Sequence, residues 1–545
     1  MSLSKEQQHA FELFKAGKNL FVTGPGGTGK TRLIHSFVNY INSGGNVGAG
    51  VGAGAARRGG VGGKKTIIQV CSTTGCSAIL LNCNARTIHS WSGIRLAKGT
   101  RDQVVDQTLS RKQYLSQWRT TDILVLDECS MMSQKIFEIL EELGRRIRRN
   151  SLPFGGLQVI FCGDFFQLPP VDSGGDDLDG KFCFESPRWL TVFGWDQHIE
   201  LKTIFRQKDE IYINILLEIR RGKISEDNIE VLQQYIIDCA DDDDDYGDKF
   251  VESISNLKLD DDDSVIASSK VKTKLYATRS KVERINNSMF SKLLSPLNEF
   301  ELQVFTNCGY ILDTVKPITD AVEKRCNKMS DGDKEREINY LRNNIPSAEI
   351  VQLKVGAVVM CNYNLDMDSG ICNGAQGIII EFKAGLDDVT RVTYDYPIVK
   401  FNNGCVRMIK HHYWQSEEYP CIAVAQLPLC LAWALTIHKI QGATLDCAEI
   451  DIGSSIFEYG QIYVALSRIR SLDGLSLLAF QPQKIRANPK VIEFYEEIER
   501  VHSRNYMQNI LLNDVDVDAL NENVKVVSVK DSQSRANISK YFGSK

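Results

Sequence analysis

No stretch of about 18 or more consecutive apolar residues occurs in the chain, so no membrane-spanning helix is expected. The opening residues, MSLSKEQQHAFELF, lack a basic patch followed by an apolar run, and they are not rich in arginine. Neither a secretory signal nor a mitochondrial transit peptide is expected from them. The 15 cysteines form no C-x-x-C pair. Cys71, Cys129 and Cys162 sit inside apolar runs, which reads as buried reduced thiols, with a zinc site as the alternative. A large excess of charge of one sign is also missing, since the net charge is only −5. Nine acidic residues lie in two runs, Asp241 to Asp245 and Asp260 to Asp263. Such runs read as solvated loops and leave a nucleic-acid partner open. At 545 residues the chain exceeds one core, and two to four domains are expected.

The chain does have glycine where phosphate chemistry needs it. Gly24-Pro25-Gly26-Gly27-Thr28-Gly29-Lys30-Thr31 matches the phosphate-loop pattern G-x-x-x-x-G-K-[ST] in full. Its glycines let backbone N–H groups close around anionic oxygens. Lys30 suits the β- and γ-phosphates, and Thr31 suits Mg²⁺. Asn19 to Thr23 reads as a buried strand and Thr31 to Ile41 as a helix with an apolar stripe, so the helix dipole adds to the anion site.

Strand-like runs at Thr66 to Val70, Asp122 to Leu126 and Leu157 to Cys162 alternate with helical patterns, the signature of a parallel α/β sheet. A second α/β region is expected to start near Ile199 and resume near Val424. Between them, roughly Leu353 to Trp414, short Val- and Ile-rich runs alternate with Gly and Asn turns, which reads as a small inserted β-barrel. Gly44 to Gly63 is low-complexity and is expected to be a flexible loop. After about Ser503 a loosely ordered polar tail is expected.

A phosphate-loop ATPase needs one acid for the Mg²⁺ shell and one to orient water. Asp127 and Glu128, ending an apolar strand, fit these roles in that order. Gly163-Asp-Phe-Phe-Gln-Leu-Pro-Pro-Val171 follows another buried strand, where α/β sheets place ligands. Gln167 there suits a γ-phosphate contact, while Pro169 and Pro170 suit a structural turn.

The run PFGGLQVIFCGDFFQLPPV, Pro153 to Val171, resembles the Pif family of DNA helicases, in superfamily 1B. So do LSKEQ at Leu3 to Gln7, TIHSWSGI at Thr87 to Ile94, DECSMM at Asp127 to Met132, FRQKD at Phe205 to Asp209, LTIHKIQGATLD at Leu435 to Asp446 and YGQIYVALSRIRS at Tyr459 to Ser471. The resemblance implies two RecA-like parallel-sheet P-loop domains, with a small wedge insertion in the first and a small β-barrel insertion in the second. The implied division is 1–92 with 119–198 for the first domain, 93–118 for the wedge, 199–300 with 420–500 for the second domain and 301–419 for its insertion.

The resemblance also implies roles. Gln7 is the adenine-reading glutamine, Arg206 and Arg468 reach the γ-phosphate from the second domain, and Gly442 and Gln461 make further nucleotide contacts. Fixed guanidinium groups are what the charge on a transferred phosphoryl group calls for. Thr74, Gly75, His89, Ser90, Trp91, His438 and Lys439 fall in segments that touch single-stranded DNA in the family. Trp91 and Phe166 are candidate stacking platforms or, equally, core aromatics. Arg95, Lys98, Arg101, Arg111, Lys112 and Arg119, in or beside the wedge, suit phosphate contact or a solvated helix face. Where this chain has Cys71-Ser-Thr-Thr-Gly75, the family usually has Ala-Pro-Thr-Gly.

The expectation is therefore a monomeric ATP- and Mg²⁺-dependent helicase moving 5′ to 3′ on single-stranded and forked DNA. The alternatives are a RecD-like helicase, an RNA helicase of the same superfamily, or a nucleotide-switched adaptor for DNA or a clamp. Ile538, Tyr541 and Phe542 resemble a sliding-clamp-binding peptide, with Arg535 in place of the usual glutamine. The nucleus is the expected compartment in a eukaryotic cell, with the mitochondrion or, for a virus, the host cytoplasm as others.

Overall fold

The computed structural model describes residues 3–48, 66–81, 83, 85–95, 97–171, 177–237, 272–312, 316–366, 369–416 and 419–513. Most of the Gly-rich loop, both acidic runs and the clamp-peptide candidate Ile538, Tyr541 and Phe542 lie outside these residues. Contact density separates two compact units, Met1–Val491 and Ile492–Lys545.

The first unit contains two parallel sheets. In the first, β1 (Leu20–Thr23), β2 (Ile68–Ser72), β3 (Arg86–Thr87), β4 (Ile123–Asp127), β5 (Gln158–Cys162) and β6 (His198–Glu200) stand in the order β3-β2-β4-β5-β1-β6. Every pairing is parallel. β1, β4 and β5 are buried at every position, as continuous apolar strands covered on both faces should be. The expected boundary at residue 198 is corrected by β6, which pairs with β1 and keeps the first sheet going through Glu200.

Helix α1 (Lys5–Lys15) begins at Ser4, whose side chain accepts from the Gln7 N–H while Gln7 reaches back to the Ser4 N–H. That reciprocal cap satisfies two helix-end donors. Phe14 of α1 stacks on Phe37 of α2 (Lys30–Asn42) with ring centroids 4.3 Å apart, fixing α1 beside the phosphate loop.

The second sheet contains β7 (Thr273–Tyr276), β8 (Ala434–Thr436), β9 (Ala448–Ile452) and β10 (Leu475–Phe480), ordered β8-β7-β9-β10 and parallel throughout. Two helices, α4 (Glu210–Arg220) and α5 (Gln461–Leu466), share a buried apolar cluster with this sheet, while Phe137 of α3 (Gln134–Arg148) packs on Phe161 of the first sheet.

The insertion between β7 and β8 is antiparallel. Val406–Met408, Thr393–Phe401, Gln376–Leu386, Val358–Cys361 and Leu429–Leu431 form a five-stranded sheet. His412–Gln415, Ala423–Gln426 and Gln303–Phe305 form a second, and Ile350–Leu353 pairs with Asn298–Glu301. Among the described residues these antiparallel strands reach from Asn298 to Leu431, on both sides of the expected 301–419.

The second unit is described through Asn513 only and is helical there. The loosely ordered tail expected from residue 504 is corrected over 504–513. No glycine or internal proline interrupts that stretch, so nothing in it stops a helix. Among the described residues no helix is long and apolar enough to cross a membrane.

Candidate nucleotide site and nucleic-acid interface

Because β1, β4 and β5 are parallel neighbours, the segments after Thr23, Asp127 and Cys162 emerge at one carboxyl edge. The phosphate loop turns there, with Gly29 left-handed (φ +80°) at the start of α2. A Cβ on Gly29 would lie 2.7 Å from Gln7 Nε2 and 3.7 Å from the Phe205 ring. Gln7 is fully buried, and its amide donates to the carbonyls of Thr28 (3.1 Å) and Gly29 (3.4 Å). Lys30 Nζ donates to the loop's own carbonyls, Gly24 O (2.7 Å) and Pro25 O (3.1 Å), and Thr28 Oγ1 donates to Pro25 O. Burial pulls the Lys30 ammonium below its usual range, against the attraction of Asp164, Glu128 and Asp127. Thr31 is exposed beside it.

Asp127 Oδ1 accepts from the Glu128 N–H at 2.9 Å. Burial, and then the Glu128 charge, push the Asp127 carboxyl up to about 7, the expected response of one of two close acids out of water. Glu128 has a left-handed backbone (φ 53°). For a residue with a Cβ that is a strained conformation. It turns the side chain toward the second sheet's elements, where Gln441 Nε2 donates to Glu128 Oε2 at 3.2 Å.

Those elements supply the other wall. The Phe205 N–H donates to Gly27 O at 2.8 Å, and a Cβ on Gly27 (φ +86°) would lie 2.6 Å from Arg206 Cβ. Arg206 Nη1 donates to Ser467 O at 2.9 Å. Arg468 is buried, donating from Nε to Val464 O and from Nη2 to Ser467 Oγ, both at 2.9 Å. Desolvation and the Arg468 charge lower Arg206 to about 9, and burial lowers Arg468. Two guanidinium groups sharing a desolvated wall favour an anion between them. The Gly26 N–H donates to the Tyr463 hydroxyl at 2.8 Å.

Among the described residues, Gln167 Oε1, Gln207 Oε1 and Gln461 Nε2 are buried without a hydrogen-bond partner. Buried polar atoms of this kind are rare and mark a place for a ligand or water. Gln207 Nε2 donates to the carbonyls of Ser467 (3.3 Å) and Ile469 (2.9 Å), so it braces the turn that carries Arg468. Gln461 Oε1 accepts from the N–H groups of Phe457 and Glu458, each at 3.1 Å. Gly442 is exposed, on the turn that holds Gln441.

The structure thus gathers Gln7, Gly24 to Thr31, Asp127, Glu128, Gln167, Arg206 and Arg468 around one cleft. Residues that sequence reasoning passed over join them: Phe205, Gln207, Gln441 and Tyr463. Each lies within three residues of one that had been singled out, but only the fold shows which neighbours face the loop.

The nucleic-acid candidates divide. Thr74 and Gly75 follow β2; Thr74 Oγ1 accepts from the Ser77 N–H at 3.2 Å, and Gly75 lies against Asn344. His89 and Ser90 are half-buried on the short helix after β3, and Ser90 Oγ accepts from Arg86. A cleft of about 580 Å³ opens beside His89, lined also by Thr73, Lys98, Met131, Met132 and Pro170. His438 and Lys439 are exposed on the turn after β8.

Trp91 is a correction. It is 1% exposed and packs on Trp118, centroids 4.6 Å apart, so it is a core residue that offers no face to a base. Phe166 is also core, 5% exposed beneath the Arg220 guanidinium at 4.6 Å. In the wedge, Arg101 pairs with Asp102, Glu138 and Glu142, and Arg111 donates to Gly93 O. These two cations are committed within the fold.

A family model described as PIF1-like helicase matches residues 2–230, and one described as DNA helicase Pif1, 2B domain, matches residues 338–382. The chain is 31% identical over 500 residues to ATP-dependent DNA helicase PIF1 of Danio rerio, covering 91% of this chain and 64% of that protein. It is 30% identical over 545 residues to ATP-dependent DNA helicase RRM3 of Saccharomyces cerevisiae, covering 91% of this chain and 68% of that one. The crystal structure of Pif1 helicase from Candida albicans superposes with a TM-score of 0.61 at 29% identity, covering 91% of this chain and all of that one. The chain therefore spans about two thirds of the length of the curated relatives it matches.

Proposed function

From the premise that the chain belongs to the PIF1-like helicase family, we propose that it is an ATP-dependent DNA helicase that moves 5′ to 3′ on single-stranded DNA and opens forks. The observation that carries this reading is the split site. Arg206 and Arg468 line one wall of a cleft whose other wall is the phosphate loop, Asp127 and Glu128. Hydrolysis at such a site requires both walls together, so it is tied to their relative movement.

In this reading the Phe205 ring, 45% exposed beside Gly29 and Gln7, offers a face to adenine. Lys30 exchanges its loop carbonyls for the β- and γ-phosphates. Arg206, Arg468 and the side-chain NH₂ of Gln167 donate to the γ-phosphate oxygens. Glu128, held by Gln441, orients the attacking water and accepts its proton. Thr31 and Asp127 fit Mg²⁺: the Asp127 carboxyl, whose proton affinity is raised by burial and by Glu128 beside it, and the Thr31 hydroxyl are hard oxygen donors of the kind Mg²⁺ takes. No group of three His, Cys, Asp or Glu side chains among the described residues is arranged to hold a metal alone, which suits an ion shared with phosphates and water. Bound there, Mg²⁺ neutralises charge on the transferred phosphoryl group.

On the DNA side we assign Thr74, Gly75, His89, Ser90, His438 and Lys439, without Trp91. The protein acts as a monomer, in the nucleus or mitochondrion, and the peptide at Ile538, Tyr541 and Phe542 is its contact for a sliding clamp. Strand displacement on duplexes with a 5′ or a 3′ single-stranded tail tests the activity. Unwinding from the 5′ tail alone, lost in Lys30→Ala, is the expected result; unwinding from a 3′ tail alone overturns the polarity.

A further inference from the structure

Helix α4 touches the nucleotide site at both ends. At its last residue, Arg220 is 3% exposed and faces Asp164, which is fully buried. Arg220 Nε donates to Asp164 Oδ1 (3.2 Å) and Oδ2 (3.0 Å), Nη2 donates to Oδ1 (3.0 Å), and Nη1 reaches Glu200 Oε1 at 3.4 Å. Asp164 opens the turn that ends in Gln167. Its Oδ1 accepts from the Phe166 N–H at 3.3 Å and its carbonyl accepts from the Gln167 N–H at 2.9 Å. The Phe166 ring closes the guanidinium's face.

Near the other end of α4, the buried Tyr212 hydroxyl donates to Leu466 O at 2.7 Å. Leu466 is the last residue of α5, two before Arg468. The first residue before α5, Gly460 (φ +74°), is pressed on the same turn from the far side. A Cβ there would lie 2.5 Å from Phe166 O and 2.7 Å from Gln167 O. Turn, α4 and α5 therefore close a ring, with Tyr212 and Arg220 about 12 Å apart along one helix.

Removing an arginine and an aspartate from water is costly, and such a pair seldom adds net stability over apolar packing. Its geometry is what distinguishes it here. We propose that Arg220 is a positioning residue for nucleotide hydrolysis. It holds the Gln167 turn and, through α4 and Tyr212, the Arg468 turn in one frame, so that the γ-phosphate contacts of the two walls form and break together. The proposal rests on the roles given above to Gln167 and Arg468.

The test is steady-state ATPase, stimulated by single-stranded DNA, for Arg220→Met, Gln167→Ala and the double variant. Arg220→Met is expected to lower kcat tenfold or more with KM for ATP within threefold. The double variant is expected to be no more than twofold slower than the slower single variant, because both act on one turn. A folded Arg220→Met with kcat within twofold of the unmodified protein overturns the proposal, as does a double variant in which the two losses multiply. A reduced rate for Gln167→Ala alongside an unchanged Arg220→Met removes the proposal and leaves the site reading intact. An unchanged rate for Gln167→Ala removes that reading and this proposal with it. If Arg220→Met does not accumulate as folded protein, Arg220→Lys keeps the charge and loses the two-pronged bond. A kcat reduced threefold or more then supports the proposal, and an unchanged kcat overturns it.

Discussion

Asp127→Asn isolates the electrostatics of the nucleotide site in a measurement that needs no nucleotide. In the folded protein the Asp127 carboxyl holds its proton up to about pH 7, whereas in an unfolded chain it releases it near 3.9. Between those values the folded state binds more protons than the unfolded state, so stability must fall as pH rises. The contribution is fully present below about pH 4 and lost by about pH 7, with a slope of at most about 1.4 kcal/mol per pH unit. The whole window corresponds to about 4 kcal/mol as an upper limit, which relaxation and water entry reduce. Asparagine removes this titration and keeps the shape. Urea unfolding of both proteins at pH 5, 6, 7 and 8, without nucleotide or Mg²⁺, gives the comparison. The unmodified protein is expected to lose stability relative to Asp127→Asn from pH 5 to 7, by about 1–3 kcal/mol, and to run parallel with it above pH 8. Parallel curves across the whole range would refute the claim that burial beside Glu128 raises this acid.

Three further outcomes follow from the site. Arg206→Ala should lower DNA-stimulated kcat by about 10³-fold or more, with only a small change in nucleotide affinity, read by steady-state ATPase and fluorescent-nucleotide titration. Trp91→Ala should cost about 3–5 kcal/mol in thermal or denaturant unfolding, because the ring fills core beside Trp118, while DNA affinity of the folded fraction stays near the unmodified value. Lys439→Ala should weaken single-stranded DNA binding for all sequences alike and reduce the salt slope by about one charge, measured by fluorescence anisotropy at several salt concentrations.

Much of the nucleotide site is legible in the sequence because its parts are local. The GPGGTGKT loop, the acids after an apolar strand and Gln167 after another each carry their context within about ten residues. Parallel neighbouring strands then do the assembling. The residues that complete the site are legible only in the fold. Tyr463 and Gln441 are ordinary polar members of the second sheet's segments until packing brings them to Gly26 and Glu128. Trp91 shows the reverse failure. An aromatic in a segment that resembles DNA-contacting ones has the same composition whether its ring faces solvent or Trp118, and only side-chain direction decides. The outer limits of the insertion were missed for a related reason. Leu429–Leu431 is a short apolar run suited to either sheet, and its pairing with Val358–Cys361 is a long-range choice.

The hydrogen bond between Gly26 and Tyr463 gives the phosphate loop an internal competitor for the nucleotide it is proposed to bind. The loop N–H that would meet a phosphate oxygen already has a partner of good geometry, and Lys30 is likewise engaged with loop carbonyls. Nucleotide entry is then an exchange of bonds rather than a gain of new ones, so each contact adds only its surplus to affinity. In the proposed cycle the same exchange runs in reverse after hydrolysis. A tethered hydroxyl and the loop's own carbonyls stand ready to replace the departing product, lowering the cost of its release, which is the step that limits turnover in many enzymes of this kind.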